Sequence, residues 1–438
     1  MAVKQLYIGS GRPAVGRTSI QLGDGRDFSF AALQSELRRL GLSPTELGLD
    51  LLTVALGVYF ADAVTSRAEW GDDGWTRHLD VVAEVHEPEL WEGLTDILVR
   101  GLNFVSSDRW RFRFERRVAT SEQMGFRVIE QARFETSRIT LLSGGLDSAI
   151  GALDALSNGS NLMAASISSS DTRTVGGPQN RIRGILEPGF RGVFAHTKLS
   201  VRAPQRLHHQ REPSQRARSF LFLSFAAFLA SCYRRQIELI VPENGLIALN
   251  VPLNVNRLGS NSTKTAHPYF LRRFAELLRG AEFDVVIREP YRFLTKGEML
   301  QQCALPQYLE RIVCASVSCA KPPNREGTAA NHCGCCPACI IRRAAIRAGY
   351  NLADPTDYHT VPDLFGHVLD ATAKEGKDIR AFKAAAQRVT EHPSNASIDI
   401  FRSGPMVDVH DHLDEYVSVY QRGMAEVHSL LERVRTRA

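Results

Sequence analysis

Two segments have residue types and spacing that could do chemistry: Ser143-Gly-Gly-Leu-Asp-Ser148 and Cys333-Gly-Cys-Cys-Pro-Ala-Cys339. A short aliphatic run, Arg138 to Leu142, precedes the first, and an apolar helical pattern (Ile150, Leu153, Leu156) follows it. Gly144 and Gly145 let the backbone curl so that successive N–H groups converge on one point. The helix start after Leu146 and Asp147 adds unpaired N–H groups and its positive dipole end. Ser143 and Ser148 add hydroxyls. The expected product is a cradle for a phosphate. The six residues hold no lysine, so this is not a Walker A loop. The plainer reading is a strand-to-helix turn with glycine for steric reasons.

In the second segment, two-residue gaps let neighbouring thiolates chelate one ion. With Cys319 upstream, the expected ligands are Cys319, Cys333, Cys336 and Cys339, and Cys335 is surplus. Four thiolates close a tetrahedral zinc site and leave no position for water, which implies a structural metal. An iron–sulfur cluster uses the same four ligands and competes. Clustered cysteines in a large chain whose first residues show no export signal favour metal over disulfides.

The elements that must position these groups follow from pattern. At roughly 150 residues per domain, 438 residues suggest two or three domains. Hydrophobic residues are 44% and charged ones 23%, which excludes a mostly disordered chain. The net charge of 53 − 48 = +5 does not demand nucleic acid. Phe220 to Ala230, the longest nearly apolar stretch, is short of the roughly 20 residues a membrane span needs.

Residues 1–135 read as an α/β domain with strands at Lys4 to Ile8, Thr18 to Leu22, His78 to Val85 and Arg109 to Phe114. Helices are expected over Glu46 to Ala68 and Glu89 to Asn103. Gly9 to Gly16 is read as a turn rather than a dinucleotide loop, because its third glycine is displaced and Pro13 interrupts it. Residues 136–350 alternate strands and helices, which implies a parallel sheet covered on both faces. Residues 351–438 look mainly helical. His410 and His412 are read as solvated, since residues two apart face different sides of a helix.

The two motifs, in this order, resemble 7-cyano-7-deazaguanine synthase (QueC). That family shows the Ser-Gly-Gly-x-Asp-Ser loop of the PP-loop ATP pyrophosphatases, then Ser-Cys and Cys-Gly-x-Cys-x-x-Cys-x-x-Arg, here Ser318-Cys319 and Cys333 to Arg342. Arg218-Ser-Phe-Leu-Phe-Leu-Ser224, Thr295-Lys296-Gly-Glu298, Pro242-Glu243-Asn244-Gly245, Gln179 and Arg181 resemble intermediate landmarks. The resemblance covers about residues 137–350, half of the chain.

It implies a parallel-sheet PP-loop core, adenine nucleotide α-hydrolase-like and Rossmann-like. Ser143 to Ser148 would bind ATP. Asp147, Ser148, Lys296 and Arg218 would serve catalysis, with Mg²⁺ near Asp147, and Glu243 and Asn244 would touch substrate. The family adenylates 7-carboxy-7-deazaguanine, ammonia gives the amide, and a second adenylation gives the nitrile.

The stretch Leu249 to Pro268 departs from the family pattern, with Asn254 to Ser260 and Thr263 to Pro268 polar and irregular. The long flanks resemble the QueC-like proteins of bacterial anti-phage defence operons, the QatC branch of the Qat system. This implies a cytoplasmic enzyme whose acceptor is an amine of a partner protein docked on the N-terminal domain. Deleting residues 1–130 should then leave ATP–pyrophosphate exchange and abolish partner modification. A tRNA-modifying PP-loop enzyme and a scaffold without activity are the other readings. Arg202 to Arg218 and Arg342 to Arg347 are the basic runs that would favour the first.

Overall fold

The computed structural model describes residues 3–11, 18–23, 25–129, 131–169, 173–204, 206–207, 212, 214, 216–253, 264–320, 332–366 and 368–437. The first sheet holds β1 (Val3–Gly9), β2 (Thr18–Gln21), β3 (Gly71–Asp72), β4 (Thr76–Val85) and β5 (Arg109–Arg116). β2, β1, β4 and β5 lie in that order and run parallel, and β3 adds an antiparallel pairing to the start of β4. Alternation along β5 turns Trp110, Phe112 and Phe114 to one face, where adjacent rings stack at 6.1 and 6.0 Å. The arginines between them face water.

β1 and β2 pair parallel, Leu6 against Thr18, so they are not the two arms of a hairpin. The backbone N–H groups of Ser10 and Gly11 hold the Glu84 carboxylate at 2.7 to 3.2 Å. Residues 12–17 lie outside the described residues.

The second sheet holds β6 (Arg138–Leu141), β7 (Leu162–Ser169), β8 (Phe194–Val201), β9 (Ile237–Ile240) and β10 (Val285–Arg288), all parallel, in the order β10-β9-β6-β7-β8. The chain steps outward from β6 to β8, then returns to the other side of β6 for β9 and β10. The direction of winding therefore reverses between β6 and β9. In open parallel sheets ligands bind beyond the strand C-termini at such a point.

Helix Arg218–Ser231 is apolar all round and buried, because it lies between the second sheet and helix Glu46–Ala63, itself buried on every side. One apolar cluster runs from Leu6 to Ala281 through both sheets. Buried ion pairs reinforce this join. Arg77 reaches Asp62 and, at 2.7 Å, Asp108, while Asp62 accepts the Ala217 N–H at 2.8 Å. Helix Glu46–Ala63 and the first sheet therefore cover the second sheet's helix. A chain lacking residues 1–130 is expected to aggregate, since helix Arg218–Ser231 would present an unbroken apolar face. A monomer in size-exclusion chromatography with an intact melting transition would refute this.

The C-terminal region packs helices Lys374–Glu391, Ala396–Phe401 and Leu413–Leu431 around helix Pro337–Gly349 and the cysteine cluster. It also carries β11 (Val368–Asp370) and β12 (Arg435–Arg437), which pair parallel. A mainly helical reading missed these because three largely exposed residues show no period. His410 is exposed, whereas His412 is half-buried with its ring 5.4 Å from that of Phe293, so the reading of both as solvated is corrected for His412. No described helix is long and apolar enough to cross a membrane.

Candidate active site and metal centre

The loop Ser143 to Gly145 leaves β6 at the reversal point and enters helix Leu146–Leu156. Gly144 has φ of +90°, and a Cβ there would lie 3.0 Å from Pro178, so a side chain is excluded twice. Ser143 Oγ donates to Ser148 Oγ at 3.1 Å and accepts the Gly145 N–H at 3.3 Å, while Ser148 Oγ donates to the Gly145 carbonyl at 2.9 Å. The two serines thus brace the loop from within. Its outer side is tied by the Val317 N–H, which donates to the Gly144 carbonyl at 2.9 Å.

The structure brings Lys296, Asn244 and Glu243 to Asp147. Lys296 Nζ lies 2.8 Å from Asp147 Oδ1, and both side chains are buried. Asn244 Nδ2 donates to Asp147 Oδ2 at 2.6 Å. Asn244 Oδ1 also caps helix Gly245–Leu249 by accepting the Ile247 N–H at 3.1 Å. Asn244 is fully buried with both ends of its amide engaged, one on Asp147 and one on the helix start. Asp147 likewise has both oxygens taken by the chain and presents no free carboxylate to Mg²⁺. The expected Mg²⁺ beside Asp147 does not fit this pairing with Lys296 and Asn244.

Glu243 is half-buried at the end of β9. Burial, with the Asp147 charge adding to it, pushes its carboxyl up to about 8. A raised carboxyl binds its proton in the fold and loses it in the unfolded chain. Its contribution to stability is therefore present below pH 4.5 and lost as pH rises toward about 8. Glu243→Gln is expected to flatten that decline, read as the difference between denaturant melts at acidic and at mildly alkaline pH. An unchanged slope would sink this assignment.

Arg218 and Arg181 flank the loop. Arg218 Nη2 donates to the Ile167 carbonyl at 3.3 Å, the same oxygen that Gln179 Nε2 reaches at 3.1 Å. Arg181 Nε donates to the Ala315 carbonyl at 3.1 Å. Among the described residues neither guanidinium has a carboxylate within ion-pair distance, and burial pulls the pKa of both below the ordinary arginine value. Arg218 is half-buried and Arg181 exposed, and a cation without a carboxylate partner beside a cradle of N–H groups favours an arriving anion. Asn254 to Ser260 and Thr263, also singled out by sequence, lie outside the described residues. A groove of about 650 Å³ on the first sheet, lined by Trp75, His78, Arg109 and Trp110 among others, includes none of these groups.

Cys319, Cys333, Cys336 and Cys339 come together with all four sulfurs within 4.8 Å of one another. Cys319 lies 3.9 Å from Cys336 and Cys333 lies 3.8 Å from Cys339. A zinc tetrahedron with bonds of about 2.3 Å puts its sulfurs about 3.8 Å apart. The spacing fits one such ion, whereas an iron–sulfur cluster interposes its own sulfides and spreads the cysteines. The Cys336 and Cys333 amides donate to Cys333 Sγ and Cys319 Sγ at 3.2 and 3.4 Å, as suits thiolate acceptors. Cys335 Sγ lies 3.7 Å from Cys333 but outside the set of four. The cluster could hold a metal ion such as zinc.

Sequence reasoning missed Val317, Arg422 and Glu426. Only the Thr295-x-x-Glu298 capping pattern hinted that the Lys296 turn is held so firmly. No family model matches this chain, and no curated protein matches its sequence.

Proposed function

We propose that the chain is a PP-loop, QueC-like enzyme with a Rossmann-like core that adenylates the carboxylate of a 7-deazaguanine such as 7-carboxy-7-deazaguanine. The observation that carries this reading is the meeting, at the reversal point of a parallel sheet, of a braced glycine loop, the Lys296–Asp147 pair and two cations without carboxylate partners. ATP is a substrate here, and the loop amides with Arg218 and Arg181 would face its phosphates.

A carboxylate oxygen of the substrate attacks the α-phosphorus, the bond to the β-phosphate oxygen breaks, and pyrophosphate leaves. An amine nitrogen then attacks the acyl carbon, the C–O bond to AMP breaks, and the nitrogen's proton passes to a base. Activation converts a poor leaving group into AMP. Arg218 and Lys296 would neutralise charge developing on phosphate. Zinc, at the four cysteines, would supply folding energy and no chemistry.

The amine is ammonia in the synthase reading and a partner protein's amine in the defence-system reading, which the long flanks favour. The test mixes the protein with ATP, Mg²⁺, 7-carboxy-7-deazaguanine and ammonium and follows products by mass spectrometry. AMP, pyrophosphate and a nitrile are expected of a synthase. AMP with an acyl-adenylate or amide alone is expected where a protein is the acceptor. ADP, or no substrate-dependent turnover, would overturn the deazapurine reading.

A further inference from the structure

Lys296 is the one cation of the site that pairs with Asp147, and it sits on a turn that could not hold itself. Helix Lys296–Gln301 has only six residues, and short helices are marginal without tertiary support. Its own capping box supplies part of the hold. Thr295 Oγ1 accepts the Glu298 N–H at 3.1 Å and Glu298 Oε2 accepts the Thr295 N–H at 2.8 Å. The rest comes from helix Leu413–Leu431, well beyond the catalytic sheet.

Arg422 and Glu426 stand four residues apart on that helix and so share a face. Arg422 Nε donates to Glu298 Oε1 at 2.6 Å, and Arg422 Nη2 donates to the Phe293 carbonyl at 2.7 Å. Glu426 accepts from the Thr295 hydroxyl and from the Gly297 N–H. The approach is close enough that a Cβ on Gly297 would lie 2.5 Å from Glu426 Oε1 and 3.1 Å from Ala348. Phe293, Thr295, Gly297 and Glu298, around Lys296, are thus each held by Arg422 or Glu426.

We infer that Glu426, with Arg422, is a positioning residue that sets Lys296 against Asp147, so that the C-terminal region completes the candidate active site. This rests on the reading of Lys296 as a phosphate-facing cation only for its catalytic consequence. The geometric part stands apart from it: the clamp keeps the ammonium seated on the carboxylate.

The experiment therefore reads position and rate separately, on the full chain. Lys296, buried and paired, should resist acetylation by acetic anhydride. In Glu426→Ala, peptide mass spectrometry should find Lys296 acetylated about tenfold faster, while zinc content and the melting transition of the cysteine cluster's helix stay. Glu426→Gln keeps an oxygen acceptor for Thr295 and Gly297 and should restore protection. Arg422→Ala should loosen the turn from the other side and serves if Glu426→Ala does not fold. In an active preparation, kcat should fall about tenfold with KM for ATP within about twofold. Lys296 as protected in both alanine variants as in the parent protein overturns the inference. So does faster labelling in Glu426→Gln equal to that in Glu426→Ala. Absence of turnover in the parent protein overturns the adenylation reading instead, and leaves the labelling test standing.

Discussion

Lys296→Met is expected to abolish substrate-dependent pyrophosphate release and to destabilise the fold at the same time. The stability loss comes from Asp147. Its Oδ1 loses the ammonium 2.8 Å away and keeps only the Asn244 donors on Oδ2. Removing one member of a buried ion pair costs about 3–5 kcal/mol, mostly because the remaining charge is stranded. The surviving Asn244 bonds place this site toward the lower end. The activity loss has a different source. A positioned cation facing developing charge is worth about 10²–10³ in rate, the scale of a lost oxyanion-hole donor. The double variant Asp147→Asn with Lys296→Met separates the two effects. It should recover most of the stability, since no stranded carboxylate remains, and none of the activity. Denaturant melts and pyrophosphate release read the two quantities independently. A single variant that melts like the parent protein would mean the pair is a solvent-screened contact. A double variant that regained turnover would mean Lys296 only compensates charge.

The parts of this arrangement legible in the sequence are those encoded over short windows. The glycine loop, the run Cys333 to Cys339 and the alternation of Trp110, Phe112 and Phe114 each need fewer than ten residues to show themselves. The parallel sheet was legible from alternating strand and helix periods, and its strand order places the loop after β6 beside Glu243 after β9. What sequence hid is long-range. Asn244 looks like a polar loop residue, and only the fold shows it bonded to Asp147 and capping a helix. Glu426 and Arg422 lie on an amphipathic helix where charges usually face water, more than 120 residues from the turn they hold. The apolar helices Glu46–Ala63 and Arg218–Ser231 announce burial, but no local pattern says that they bury each other.

The cysteine cluster carries the other large expected effect, because its sulfurs are tied to the cradle through the backbone. Cys319 follows Ser318, whose N–H donates to His332 Nε2 at 3.1 Å, and Val317, whose N–H holds the Gly144 carbonyl. Arg342, fully buried, braces the same segment by donating to Ser316 Oγ at 3.0 Å and to the Val313 carbonyl at 2.6 Å. At the other end, helix Pro337–Gly349 begins one residue after Cys336 and reaches the Lys296 turn, where a Cβ on Gly349 would overlap the Gly297 carbonyl. Cys336→Ser or Cys339→Ser should therefore lose the metal and slacken both sides of the site. Structural zinc contributes about 10–16 kcal/mol of apparent binding energy in small domains. That is comparable with the about 5–15 kcal/mol that holds an ordinary domain folded. Elemental analysis should find the metal missing from both variants and calorimetry a lowered or absent transition. Cys335→Ser should keep metal and melting unchanged, since its sulfur stands outside the four. Val317→Pro makes the decisive comparison: it removes one N–H donor and no sulfur, so it should retain the metal while weakening pyrophosphate binding. If Cys336→Ser and Cys339→Ser stay folded and loaded, the ligand assignment fails. If Val317→Pro binds pyrophosphate like the parent protein, the metal centre supports the fold without shaping the cradle.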